Sequence, residues 1–147
     1  MDNGGGDLFF YYFCRDKKQN KQLLIFRNMK RNIVLEKSAA FSIRIVNLYK
    51  YLTCEKHEYV MAEQIKRSGT SIGANISESQ NAQSKADFIH KMNIALKEAD
   101  ETVYWLNLLH KTHYLTDIEH ESINNDAEEL VKLLKSIVKT SKARMRP

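Results

Sequence analysis

Residues Gln64 to Ala82 read QIKRSGTSIGANISESQNA, and the fold turns on how Gly69 and Gly73 are understood. Two glycines among Ser, Thr and Asn suit either a loop that cradles phosphate or a helix that meets a neighbour closely. A Walker-type phosphate loop needs G-x-x-x-x-G-K-[ST] between a strand and a helix. Here the glycines stand four apart, Ala74 rather than Lys follows the second, and no strand-like run precedes them. Met61, Ile65, Ser68, Ile72 and Ile76 instead form one helical stripe that passes the glycines without losing phase. Each glycine costs roughly 1 kcal/mol of helix propensity relative to Ala. A helix that carries two must regain this through close packing. The stretch therefore reads as a helix starting near Tyr59, with Ser68, Gly69, Gly73 and Ala74 as small residues that admit another helix. The same spacing occurs in membrane dimers, but this helix is too polar for lipid.

Three further helices follow from the same period. Upstream, Phe41, Ile45, Leu48 and Leu52 recur at steps of four, three and four, and polar Thr53 to Glu58 ends the pattern. Downstream, Ser79 to Ser84 is a polar linker, and Ser84-Lys-Ala-Asp87 resembles a capping box with Asp for the usual Glu. The third helix runs to about His113. Phe88, Met92, Ala95, Ala99, Leu106 and Leu109 form its main stripe, and Ile89, Leu96, Val103, Tyr104, Trp105 and Leu108 spread round the cylinder. A helix apolar on most sides is shared between subunits when no helix is central. Tyr104, Trp105 and Leu108 are therefore candidate oligomer contacts. Thr116-Asp-Ile-Glu119 is a capping box opening the fourth helix, with Ile123, Ala127, Leu130, Leu134 and Ile137 as its buried stripe. Short connections predict an all-α, antiparallel up-down-up-down four-helix bundle.

The bundle domain spans residues 32–142, after an irregular extension at 1–31 and before a basic tail at 143–147. The extension holds a glycine triplet, the aromatic run Leu8 to Phe13 and a basic stretch without helical period. Met29, directly before the helical region, is a candidate natural start. One proline and five glycines in 147 residues leave little material for a turn-rich β fold. Cys14 and Cys54 are too few for a disulfide framework and read as free thiols of a reducing compartment. No apolar run reaches the roughly 20 residues a membrane helix needs. Acidic Asp2 and Asp7 stand where a signal peptide carries basic residues. A cytoplasmic protein is expected. The net charge of +5 divides into +4 for residues 1–32, −5 for 33–131 and +6 for 132–147. Basicity thus sits at the ends, as a solvated tail or a nucleic-acid footprint.

Catalytic chemistry finds no constellation. A ferritin-like metal site needs E-x-x-H on two helices and a Glu from each of two others. The nearest matches, Asp87 with His90 and Asp117 with His120, sit in first turns where Asp is expected for capping. His110 and His113 lack completing ligands, and Cys54 with His57 lacks an orienting partner. Glu98, Asp100 and Glu101 read as a solvated or salt-bridged face rather than acid–base machinery. No catalytic residue, metal, cofactor or small-molecule substrate is expected. Candidate phosphate contacts are Lys66, Arg67, Lys91, Lys97, Lys135, Lys139, Lys142 and Arg144, with Lys85 and Lys132 nearby. No helix-turn-helix or RNA-recognition motif accompanies them, so binding to RNA or DNA would rest on phosphates. The alternative is a protein-interaction scaffold presenting acidic helix faces.

Two segments, QIKRSGTSIGANISES (Gln64 to Ser79) and KADFIHKMNIALKEADETVYWLNLL (Lys85 to Leu109), resemble the four-helix bundle family of the 23S rRNA intervening-sequence protein, formerly labelled a ribosomal protein family. The resemblance covers roughly Asn32 to Lys142. The family's pattern, about Q-I-R-R-x-x-x-S-I-P-x-N-I-A-E-G, is matched at Gln64, Ile65, Arg67, Ser71, Ile72, Asn75, Ile76 and Glu78. Lys66 replaces an Arg, and Gly73, Ser77 and Ser79 depart from the usual Pro, Ala and Gly. The resemblance implies a homopentamer of antiparallel bundles with a poorly defined role. A related group serves diversity-generating reverse transcriptases as a basic, nucleic-acid-binding pentamer. Arg67, Gly69, Ser71, Gly73, Asn75, Glu78, Glu98 and Glu101 are then expected to serve helix packing, interhelical hydrogen bonding or subunit contact.

Overall fold

A computed structural model describes residues 32–145. The extension at 1–31, with Cys14, the aromatic run and Met29, lies outside the described residues, as do residues 146–147. Four helices make up the fold: α1 (Ile33–Cys54), α2 (Val60–Ser79), α3 (Lys85–Lys111) and α4 (Asp117–Ala143). No strand occurs among the described residues.

Local chemistry sets the boundaries. Asn32 caps α1 through Oδ1, which accepts from the Leu35 N–H at 3.4 Å. Ser84 caps α3 by accepting from the Asp87 N–H at 3.1 Å, and Asp87 Oδ2 accepts from the Gln83 N–H at 3.1 Å. At α4 the capping box closes fully. Thr116 Oγ1 accepts from the Glu119 N–H at 3.3 Å, and Glu119 Oε2 accepts from the Thr116 N–H at 2.8 Å. The start of α2 works differently, because its flanking residue Tyr59 makes no side-chain cap. Glu58 reaches forward instead: its carboxylate accepts from the N–H groups of Val60, Met61 and Ala62 at 3.1, 2.9 and 2.8 Å. An anion on three orphan donors at a helix's positive end contributes about 1 kcal/mol or more.

The cross-links between helices run in opposite order along each pair. From α1 to α4 they join Lys37 with Glu129, Arg44 with Ser122 and Asp126, and Tyr51 with Glu119. From α2 to α3 they join Arg67 with Glu101, Ser68 with Thr102, and Glu78 with Lys91. Asn32, before α1, donates to Gln80, after α2, at 2.7 Å. These neighbours are therefore antiparallel, as the short connections predict. Each helix packs on the next in sequence, and α1 and α4 close the bundle with a sparser contact than the sequential neighbours make.

Phe41, Ile45, Leu48 and Leu52 from α1 meet Ile65, Ile72 and Ile76 from α2, Met92, Leu106 and Leu109 from α3, and Ile123, Leu130 and Leu134 from α4. Two expected stripes shift by one residue. On α3, Ile89 is buried and Phe88 half-buried; on α4, Val131 and Val138 are buried and Ile137 half-buried. The α3 stripe includes Thr102, fully buried and hydrogen-bonded, which interrupts the apolar spacing in sequence.

Candidate functional site

The glycine-bearing face of α2 lies directly on α1. A Cβ built at Gly69 would stand 2.7, 2.8 and 3.0 Å from Ile45 Cγ1, Cγ2 and Cδ1. At Gly73 it would stand 2.8 Å from Ser42 Oγ and 3.4 Å from the Ser38 carbonyl oxygen. The two contacts differ in kind. Ile45 is fully buried and β-branched, so it has little room to turn. Ser42 is a small, half-exposed hydroxyl bonded back to the Ser38 carbonyl at 2.9 Å. The α2 stretch thus holds neither a loop nor a phosphate cradle.

The opposite flank of α2 is stitched to α3 by polar groups. Arg67 pairs with Glu101 and lies 3.5 Å from Glu98. Trp105 Nε1 donates to the same Glu101 carboxylate at 3.1 Å. That bond and then the Arg67 guanidinium hold the Glu101 carboxyl below its ordinary range, and Glu101 raises Arg67 in turn. Ser68 and Thr102, both fully buried, are hydrogen-bonded across the interface at 3.0 Å. Glu78 pairs with Lys91 at 2.5 Å, which raises the lysine pKa.

Arg67, Glu78, Glu98 and Glu101 thus stand in side-chain contacts between α2 and α3. Asn75 Nδ2 donates to the Ser71 carbonyl at 2.9 Å, inside α2. Tyr104 is 59% exposed and meets Trp105 edge to face with centroids 5.1 Å apart; Trp105 and Leu108 are half-buried.

The candidate phosphate contacts separate into two groups. Lys66 pairs with Glu63 at 2.7 Å and sits 4.0 Å from the centre of the Tyr49 ring. Arg67 and Lys91 are engaged as described. Lys97, Lys132, Lys135, Lys139, Lys142 and Arg144 are exposed and join no ion pair among the described residues. Among those residues no group of three His, Cys, Asp or Glu side chains is placed to hold a metal ion. No described helix is long and apolar enough to cross a membrane.

Sequence reasoning missed a histidine pair at the α3–α4 turn. The rings of His110 and His120 stack with centroids 4.3 Å apart and planes 10° apart. His110 Nε2 donates to Asp117 Oδ1 at 2.7 Å, and His120 Nε2 donates to Asn107 Oδ1 at 2.9 Å. Burial, then the neighbouring His110, push the His120 pKa below 6.5, with Asp117 opposing. The unfolded chain then binds more protons than the fold just below the ordinary histidine pKa. Stability falls as pH drops through about 6.5 and levels off below the folded pKa of His120. Glu63 and Glu101, both lowered by their partners, lose their contributions only as pH falls below 4.5. Urea midpoints at about pH 7.5 and about pH 5.5 isolate the histidine effect, and His120→Gln should shrink the difference between them. An unchanged difference would remove His120 from this role.

The fold is a four-helix bundle with a small-residue seam on one flank of α2 and an ion-paired seam on the other. The chain belongs to the 23S rRNA-intervening sequence protein family, whose model matches residues 30–136. It is similar to a protein of unknown function from the S23 ribosomal protein family of Bacteroides thetaiotaomicron VPI-5482, solved by crystallography at 1.70 Å. The two are 63% identical with a TM-score of 0.71, and the match covers 72% of this chain and 98% of that one. No curated protein matches the chain.

Proposed function

We propose that this protein is a non-catalytic, cytoplasmic accessory factor that associates with nucleic acid as a homo-oligomer. The observation that carries this reading is the division of its cations. On α1 to α3, Lys37, Arg44, Lys66, Arg67 and Lys91 are each matched to a carboxylate, while Lys50, Lys85, Lys97 and Lys111 are exposed and join no ion pair among the described residues. Those at the end of α4 (Lys132, Lys135, Lys139, Lys142 and Arg144) are left to solvent. Unmatched charge of one sign attracts polyanions at long range. Membership of a family named for an rRNA-intervening sequence agrees with that partner class.

Oligomerisation would repeat the basic end and raise its avidity. Exposed Ile43, Val46 and Tyr104 offer apolar surface for subunit contact. We take the number of copies as five, the number the family resemblance implies. Light scattering on the eluting protein should give a multiple of 17.2 kDa, and a monomer would remove the oligomer from the proposal. Gel shift with structured RNA and duplex DNA at low salt should show retardation at micromolar protein. Absence of any shift would refute nucleic-acid association. The same exposed apolar residues favour a second reading, a protein scaffold. A partner that survives nuclease treatment in a pull-down would select it.

A further inference from the structure

Resting on the nucleic-acid reading, we infer that Lys132, Lys135, Lys139 and Lys142 form one contact strip for the phosphates of a double-stranded nucleic acid, gripped without regard to sequence. The four lysines follow one another at steps of three, four and three. At 3.6 residues per turn these steps confine them to an arc of about 80° along about 15 Å of α4. All four are exposed. Their backbone is held by Leu130, Val131, Leu134 and Val138, which bury the other side of the same turns. The strip is therefore presented on a fixed rod.

The helix dipole does not account for it. That effect fades within the last turn, and of the four only Lys142 lies there. Lys132 and Lys135 stand well before the end. No acidic residue follows Glu129 in the sequence, and Lys132, one turn beyond Glu128 and Glu129, joins no ion pair among the described residues, Glu129 being paired with Lys37.

The surroundings choose among polyanions. Proteins that hold single strands combine basic grooves with exposed aromatic rings on which bases stack. No Phe, Tyr or Trp occurs anywhere in α4. The exposed aromatics Tyr59 and Tyr104 sit toward the opposite end of the bundle, beside the start of α2 and the end of α3. An anionic membrane surface calls for an apolar face that can insert, and the apolar face of α4 is occupied by the core. Ser136, exposed about 40° to one side of the arc, adds a hydroxyl donor to phosphate beside the strip. Point charges on flexible stems with no base-reading groups fit the backbone of a duplex.

The test is fluorescence anisotropy of the full chain with labelled duplexes of two unrelated sequences, a poly(dT) strand of equal length, and phosphatidylserine vesicles as competitor. The two duplexes should bind alike and more tightly than poly(dT). Between about 50 and 200 mM salt, each Lys→Gln change within the strip should reduce the slope of log affinity against log salt by about 0.9. Lys50→Gln, exposed on α1, should leave the slope unchanged. Equal or tighter binding to poly(dT), or a slope insensitive to K135Q and K139Q, would overturn the duplex strip while leaving nucleic-acid association standing. Binding to vesicles but to neither nucleic acid would overturn both.

Discussion

Gly69→Ala should destabilise the protein by about 1–2 kcal/mol, and Gly69→Leu by about 3 kcal/mol, near the top of the range for overpacked cores. Helix propensity alone predicts the opposite sign for the first change, since Ala in a helix is favoured over Gly by roughly 1 kcal/mol. The reversal comes from Ile45. Three of its side-chain atoms occupy the space a Cβ at position 69 would need, and the isoleucine is fully buried among Leu48, Leu52, Ile65 and Ile72. Gly73→Ala is the natural contrast. Its new methyl meets the Ser42 hydroxyl, which can rotate, so the steric and propensity effects should nearly cancel. Chemical denaturation of the three variants checks the order. Equal effects of Ala at positions 69 and 73 would mean that α1 does not press on Gly69.

Arg44→Met should cost about 2–3 kcal/mol, the scale of charge-assisted hydrogen bonds lost from a shielded site. Arg44 joins α1 to α4, whose contact is sparser than that between sequential helices. Its Nη1 donates to the Ser122 carbonyl at 2.9 Å and to Asp126, and its Nη2 donates to Ser122 Oγ at 2.9 Å. The arginine side chain is 13% exposed while Asp126 is 46% exposed, so the packing role of the guanidinium outweighs the ion pair itself. Arg44→Lys should recover less than half of the loss, because an ammonium does not span a carbonyl, a hydroxyl and a carboxylate from one planar fork. Full recovery by lysine in a denaturation experiment would reduce the clamp to simple charge.

These two sites mark where sequence reading succeeded and where it stopped. Helix existence and most boundaries were legible, because periodicity and capping chemistry act within a few residues. Thr116 with Glu119 announces α4, and Ser68, Gly69, Ile72 and Gly73 announce a close helical contact. The buried stripes were legible to within one residue. At the helix ends Phe88 and Ile137 are half-buried while Ile89 and Val138 are buried, and on α3 the polar Thr102 completes the stripe between Ala99 and Leu106.

Arg44 was not legible. Its partners lie 78 and 82 residues away, and only the folded topology brings α4 alongside α1. A cation set directly between Ile43 and Ile45 was the available signal. Glu58 escaped for a different reason. It sits one residue before the flanking position of α2 and caps by reaching over Tyr59, a geometry with no fixed spacing rule. Among the candidate phosphate contacts, charge alone did not separate Lys66, Arg67 and Lys91, which the fold engages, from the lysines of α4, which it leaves exposed.

The most direct measurement is a double-mutant cycle between Gly69 and Ile45, read by urea unfolding. Ile45→Ala alone should cost about 2–5 kcal/mol as a core truncation. In that background the space beside position 69 is vacant, so Gly69→Ala should become stabilising, by up to roughly 1 kcal/mol from helix propensity. A change of sign between the two backgrounds is the result expected of rods in contact at a residue without a side chain. The same cost for Gly69→Ala with Ile45 and with Ala at position 45 would contradict that contact, and with it the packing of α2 on α1.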